Sequence, residues 1–164
     1  MGNCYYIEVT AYNFTKASEN CKDRFRNQGT GILFEPKMQF LNDAVIKEAR
    51  KALEVQKRHV FFLGIQDSNS QNNWQYISNK VKISWTNWEP GEPNNYQEEI
   101  TDCVSTFWNN TYTWDDFPCS AKLVSICEMT TEGILLTIVC IFSIHFLKLE
   151  HLKLLFSTTS TQRN

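Results

Sequence analysis

Two quoted stretches decide the fold: Trp88-Glu89-Pro90-Gly91-Glu92-Pro93-Asn94 and, further on, Trp114-Asp115-Asp116-Phe117-Pro118-Cys119. They lie within a reach from Ile83 to Ala121 that has no Lys or Arg yet carries Glu89, Glu92, Glu98, Glu99, Asp102, Asp115 and Asp116. The formal net charge of the chain is only -2, so the rest of it is net basic. Like charges gathered without partners repel, and burying them uncompensated is costly. A cation held by oxygens resolves the conflict, and calcium takes about six to eight such ligands.

Working outward, 164 residues make one domain with a tail, enough to close a modest core. With a pI near 5.9 and no basic stripe interleaved with aromatics, nucleic acid is excluded as a partner. Six cysteines are present, Cys4, Cys21, Cys103, Cys119, Cys127 and Cys140, with no C-x-x-C pair and no neighbouring His, which disfavours zinc. An even number in a small domain reads as a disulfide framework made in an oxidising compartment. The sequons Asn13-Phe14-Thr15 and Asn109-Asn110-Thr111 fit a secreted or cell-surface glycoprotein. The opening Met1-Gly2-Asn3-Cys4 shows no apolar signal segment. Myristoylation would want Ser or Thr where Tyr6 stands, so the expectation is a fragment or a chain lacking its first exon.

Phe14, Ala17, Cys21 and Phe25 recur at helical spacing, with Asn13 or Thr15 able to cap the start and Gly29 the end. Pro36 opens a second predicted helix, with Met38, Leu41, Val45, Ala49 and Leu53 on its apolar face and Lys47, Glu48, Arg50 and Lys51 on its wet face. From Val60 the pattern turns to strands: Val60–Ile65 buried, a hairpin of Trp74–Ile77 and Val81–Trp85 about Ser78-Asn79-Lys80, then Cys103–Phe107, Tyr112–Trp114 and Leu123–Glu128. Residues 67–73 are a turn-rich loop, and 89–101 a long one, too polar and too kinked by Pro90, Gly91 and Pro93 for a strand. Two helices followed by a strand-rich half define an α+β fold over 4–129.

An apolar segment at 130–147 and a polar tail at 148–164 follow. Its apolar run from Gly133 to Leu147 would rise about 22 Å as a helix, short of the ~30 Å hydrocarbon core. Three readings stay open: a short single membrane span, an incidental apolar tail, or non-native translated sequence. Lys148, Lys153 and Arg163 after the segment, with Glu128 and Glu132 before it, would leave the domain outside, as in a type I membrane protein. The polar run after it disfavours a GPI signal.

The combination resembles a C-type lectin domain of the mannose-type, Glu-Pro-Asn subgroup. The likeness covers roughly Cys4 to Met129 and is carried by the two quoted stretches, by the core-strand run Phe62-Leu63-Gly64-Ile65, and by the placing of four cysteines. It implies a long-range disulfide Cys21–Cys127 and a loop-closing one, Cys103–Cys119. It implies Ca2+ as cofactor, held by Glu92 and Asn94 about a cis Pro93, by Asp115 and Asp116, and by Glu99, preferred here over Glu98. The same five residues would contact sugar, with vicinal hydroxyls taking the open calcium positions, donating to carboxylates and accepting from amides. Glycans or glycoproteins of the mannose, fucose or N-acetylglucosamine class are the implied partners, bound through several domains or an oligomer for avidity. Cys4 would belong to an extra N-terminal disulfide whose mate precedes Met1, unless Cys140 serves.

Two departures bear on the site. The family usually has Asn where Asp115 stands, and a carboxylate cannot donate to a sugar hydroxyl, a loss of about 0.5–1.5 kcal/mol. Its acidic residue usually lies two positions before the cysteine, here Thr101, so Glu99 serves only if Ile100 and Thr101 are an insertion. An accessory calcium site would draw on Asp67, Asp102, Gln71 and Asn95, and with two neutral members it is expected to be weak or empty. Trp74, Tyr76, Trp85 and Trp88 read as core or loop anchors, Tyr96 and Trp108 as exposed aromatics near a ligand. A glycosidase pair of Glu92 with Asp115 or Asp116 is the enzymatic rival, but it needs one carboxyl kept protonated. Only His59 among three histidines lies inside the domain, so no triad can be traced and the chain is not expected to be an enzyme. Within the fold, the rival reading is a module that binds a protein or other non-sugar ligand without calcium.

Overall fold

The computed structural model describes residues 3–25, 30–53, 60–68, 72–95, 102–107 and 111–130. Glu98, Glu99, Tyr96, Trp108, Asn109, His59, Gln71 and Gly29 lie outside them, as do residues 131–164 with the apolar segment and tail. Among the described residues, no helix is long and apolar enough to cross a membrane.

The sheet starts earlier than the sequence pattern suggests. Strand β1, Asn3–Tyr12, precedes the first helix, and its aromatic and β-branched run suits a pleated, half-buried surface. It pairs antiparallel with the last strand, β7 (Leu123–Thr130), from Asn3↔Thr130 to Glu8↔Ser125. Helix α1 runs Phe14–Arg24 and ends at a cap on Phe25, short of the predicted Gly29. Asn13 caps its start, the side chain accepting the Lys16 N–H at 2.9 Å. Strand β2, Thr30–Leu33, also absent from the sequence reading, lies along the other edge of β7. A Cβ on Gly31 would stand 2.1 Å from the Cys21 carbonyl oxygen, so glycine is what lets β2 lie against α1.

Helix α2 runs Gln39–Leu53, beginning three residues after Pro36. Val45, Ile46, Ala49 and Leu53 are buried as the periodicity requires, but Met38 lies outside the helix and is 57% exposed. Arg50, assigned to the wet face, is buried at 8% exposure. Its guanidinium donates to the carbonyl oxygens of Phe107 (2.8 Å) and Thr111, which offsets part of the loss of water. Asn42 is wholly buried too, donating to the Tyr112 carbonyl (2.8 Å) and accepting from the Trp114 indole (2.8 Å).

Strand β3 (Phe61–Asp67) lies parallel to β7 and antiparallel to β4 (Trp74–Tyr76) and β5 (Cys103–Thr106), and β6 (Trp114–Phe117) completes the set. The order is β1-β7-β3-β5-β6, with β2 on β7 and β4 on β3. The predicted strand at 81–85 is reduced to one bridge, Gln75↔Lys82, and the one at 112–114 is shifted on to Trp114–Phe117. Successive β3 side chains serve opposite faces, as strand geometry demands. Phe61, Leu63 and Ile65 pack under α2 with Ile46, Ala49 and Trp114, while Phe62 packs under α1 with Phe14, Ala17 and Cys21. The sheet is thus buried on both faces, and each large apolar side chain so placed contributes about 1.5–3 kcal/mol. Cys21–Cys127 ties α1 to β7, and Cys103–Cys119 ties β5 to the segment after β6. Cys4 is disulfide-bonded to a partner outside the described residues.

Candidate metal centre

The centre is assembled where a bent loop is laid against β6. Trp114 is the anchor: fully buried, it meets Trp85 edge-on at 5.0 Å and Trp88 at 5.7 Å between ring centroids. Its backbone N–H donates to the Asn87 carbonyl (2.8 Å), and its own carbonyl accepts from Glu89 N–H (2.9 Å), so the loop joins the strand like a short extra rung. Asn87 Nδ2 adds a bond to the Tyr112 carbonyl at 2.7 Å. Glu89 and Glu92 then close a turn, Glu92 N–H donating to the Glu89 carbonyl at 2.9 Å, with Pro90 and Gly91 at its corners. Gly91 has φ +101°, which suits the third position of a type II turn and favours glycine. The next peptide, Glu92–Pro93, is cis.

Beyond it the backbone N–H groups of Asn94 and Asn95 both donate to the Asp116 carboxylate, at 2.8 and 2.9 Å. Asn94 Nδ2 donates to Glu92 Oε1 at 2.8 Å. These contacts bring one carboxylate oxygen each from Glu92, Asp115 and Asp116 within 4.8 Å of one another. Asp116 is buried at 5% exposure, and the other two are half-buried.

Electrostatically the cluster is strained. Burial, reinforced by the Asp116 and Asp115 carboxylates, pushes the Glu92 carboxyl up to about 7. Burial and the Asp116 charge raise Asp115 to about 6. Glu92 Oε2 is buried and has no hydrogen-bond partner among the described residues. An orphaned buried oxygen beside two more carboxylates, with neither His nor Cys in the cluster, fits a hard divalent ion of the calcium type. Glu92, Asp115 and Asp116 would hold it, and its charge would stabilise all three as carboxylates.

Of the residues singled out in the sequence, the fold therefore gathers Glu92, Asn94, Asp115 and Asp116; Glu99 and Glu98 lie outside the described residues. Asp67, expected in an accessory site, spends its carboxylate on the N–H groups of Asn72 (2.6 Å) and Asn73 (3.1 Å), where it staples the loop after β3. Sequence reasoning missed the supports Asn42, Asn87 and Arg50. A polar residue between Leu41 and Val45, inside an apolar stripe, was the available signal for Asn42.

Proton and metal compete for the same oxygens, which sets a pH dependence. Both folded pKa values lie above the ordinary ones, so in metal-free protein their contribution to stability is full below about pH 4 and is lost as pH rises through about 6 to 7. Metal binding needs the deprotonated groups, so calcium affinity should fall roughly tenfold or more between about pH 7.5 and 5.5. Calorimetry in buffers of different ionisation enthalpy would show proton release near neutral pH; a pH-independent affinity would contradict this account.

With fold and site in view, the kinship is plain. The chain matches the family model described as Lectin C-type domain over residues 10–129. It is 27% identical over 127 residues to the C-type mannose receptor 2 of Mus musculus, covering 77% of this chain and 8% of that receptor's length. It is 26% identical over 119 residues to the perlucin-like protein of Mytilus galloprovincialis, covering 72% of this chain and 70% of that protein. Among solved structures, the C-type lectin CEL-I from Cucumaria echinata superposes with a TM-score of 0.69 at 18% identity, covering 80% of this chain and 94% of the other. The fold and the family match together identify a C-type lectin domain, and the chain belongs to that family of binding modules.

Proposed function

We propose that this chain is an extracellular carbohydrate-recognition domain of the Glu-Pro-Asn subgroup, binding mannose-, fucose- or N-acetylglucosamine-type glycans through Ca2+. One observation carries the reading: Glu92, Asp115 and Asp116 converge within 4.8 Å, and one Glu92 oxygen is buried without a partner. Glu92, Asn94, Asp115 and Asp116, together with Glu99, are the proposed ligands of ion and sugar. Bound calcium would offer its open coordination positions to two vicinal hydroxyls. Glu92 would accept a hydroxyl proton, and Asn94 would turn its amide from Glu92 to a hydroxyl lone pair. The domain proper spans 4–129, outside the cell or on its surface, and weak single-site binding would be multiplied by several copies acting together.

Asp115 sets a limit on this chemistry because it only accepts. Asp115→Asn should keep calcium binding and tighten monosaccharide binding roughly two- to tenfold, the value of one recovered hydrogen bond. Glycan-array binding with and without EDTA, followed by calorimetry on this variant, tests both statements. Signal on mannose- or fucose-type sugars that chelation abolishes is the expected result. Chelator-insensitive binding to protein would replace the sugar reading with a non-sugar one, and an unchanged affinity in Asp115→Asn would remove the role given to Asp115.

A further inference from the structure

The motif Asn13-Phe14-Thr15 takes no part in the metal centre, and the fold presents it in an unusual way. Asn13 is exposed, with extended backbone (φ -66°, ψ 164°), and its Oδ1 accepts the Lys16 N–H at 2.9 Å as the cap of α1. Among the described residues its amide nitrogen Nδ2 has no partner. Thr15 is exposed as well, and its hydroxyl has none either. The fold grips the motif by the residue between them: Phe14 is buried and meets the Phe62 ring edge-on at 5.4 Å. A sugar attached at Nδ2 would therefore displace no contact among the described residues when the chain folds. In the second sequon the Thr111 hydroxyl is instead bonded to Glu89 Oε2 at 3.2 Å.

We propose that Asn13 carries an N-linked glycan. Nδ2 attacks the anomeric carbon of an oligosaccharide borne on a polyprenyl diphosphate. The C1–N bond forms as the C1–O bond breaks, the lipid diphosphate leaves with the bonding pair, and Nδ2 passes one proton to a base of the transferring enzyme. Oδ1 is untouched, so the helix cap survives with the sugar attached. Thr15 is helical in the folded chain, so transfer precedes closure of the first turn of α1. The disulfides Cys21–Cys127 and Cys103–Cys119 place folding in an oxidising compartment, where such transfer occurs. The inference is independent of calcium and sugar recognition.

The test is expression of the full chain behind a cleavable secretory leader, in translation supplemented with microsomes and in a eukaryotic secretory line. Thr15→Ala and Asn13→Asp both keep a capping oxygen at position 13 and remove the acceptor motif, and Thr111→Ala controls for the other sequon. Expected is the loss of one glycan in Thr15→Ala and Asn13→Asp by gel mobility, and an Asn13 peptide that becomes aspartate when an N-glycan amidase is applied to the parent. Because transfer precedes folding, the microsome result is readable even for a variant that folds poorly. An unmodified Asn13 peptide, or parent and Thr15→Ala of equal mobility, overturns the proposal.

Discussion

Asp116→Ala is expected to abolish calcium uptake into the millimolar range, a loss of at least about a hundredfold, since each missing charged ligand weakens an all-oxygen site steeply. Asp116 has two duties. Its carboxylate accepts the N–H groups of Asn94 and Asn95, which fixes the bent loop on β6, and it stands among the three converging carboxylates. Hydrogen bonds to a charged acceptor contribute about 1.5–3 kcal/mol each, so their loss should loosen the loop. Removing one of three mutually repelling charges offsets part of that, so the metal-free variant should melt only a few degrees lower. Asp116→Asn is intermediate: the two loop N–H groups go to different Asp116 oxygens, so the amide keeps one acceptor, turns a donor toward the other N–H and brings no charge. It should bind calcium more weakly than the parent but better than Asp116→Ala, and melt between them. Calorimetry for the metal and thermal unfolding for the fold read the two separately. Tight calcium binding in Asp116→Ala would leave this residue only its stapling duty.

The largest stability effect should come from Cys21→Ala with Cys127→Ala. The bridge closes a loop with a sequence separation of 106, and in the chain-entropy account such a link is worth about 4–5 kcal/mol. A drop in melting temperature of about 10–20 °C follows for a domain of this size. The bridge joins α1 to the half of β7 where Leu33 pairs with Cys127, on the face opposite Trp114. Cys103→Ala with Cys119→Ala removes a separation of only 16, worth about 3 kcal/mol, but frees the end of the β5–β6 pair that carries Asp115 and Asp116. The first pair should therefore cost more stability and the second more calcium affinity. Thermal melts and metal titrations on both double variants check this, and equal effects on affinity would contradict it.

These contrasts also explain what the sequence disclosed. The kinked loop holding Pro90, Gly91 and Pro93 and the aspartates after Trp114 were legible because backbone restriction and charge are written in residue type, whereas the cis bond at Pro93 came only with the family resemblance. The two disulfides were legible through family resemblance. Strand β1 escaped notice although Tyr5, Tyr6, Ile7 and Val9 favour a strand, because its partner lies over a hundred residues away and no adjacent turn marks a hairpin. Arg50 was misread because periodicity assigns a charged residue to water, whereas two carbonyls from the β5–β6 connection await its guanidinium. Met38 failed the other way: an apolar residue just ahead of the helix, it stays more than half exposed. Supports of the site are harder to read than its ligands, since a buried Asn such as Asn42 is recognisable only once its partners are in place.

The pairing of Asn3 with Thr130 means that the polypeptide enters and leaves this unit one strand spacing apart, about 4.8 Å. A module with such a shared doorway can be spliced into a longer polypeptide with little disturbance of its neighbours, like a bead on a string. The loop that carries Glu92 is tethered to β6, away from that doorway in the strand order, so copies strung in series would each leave it clear of the connecting chain.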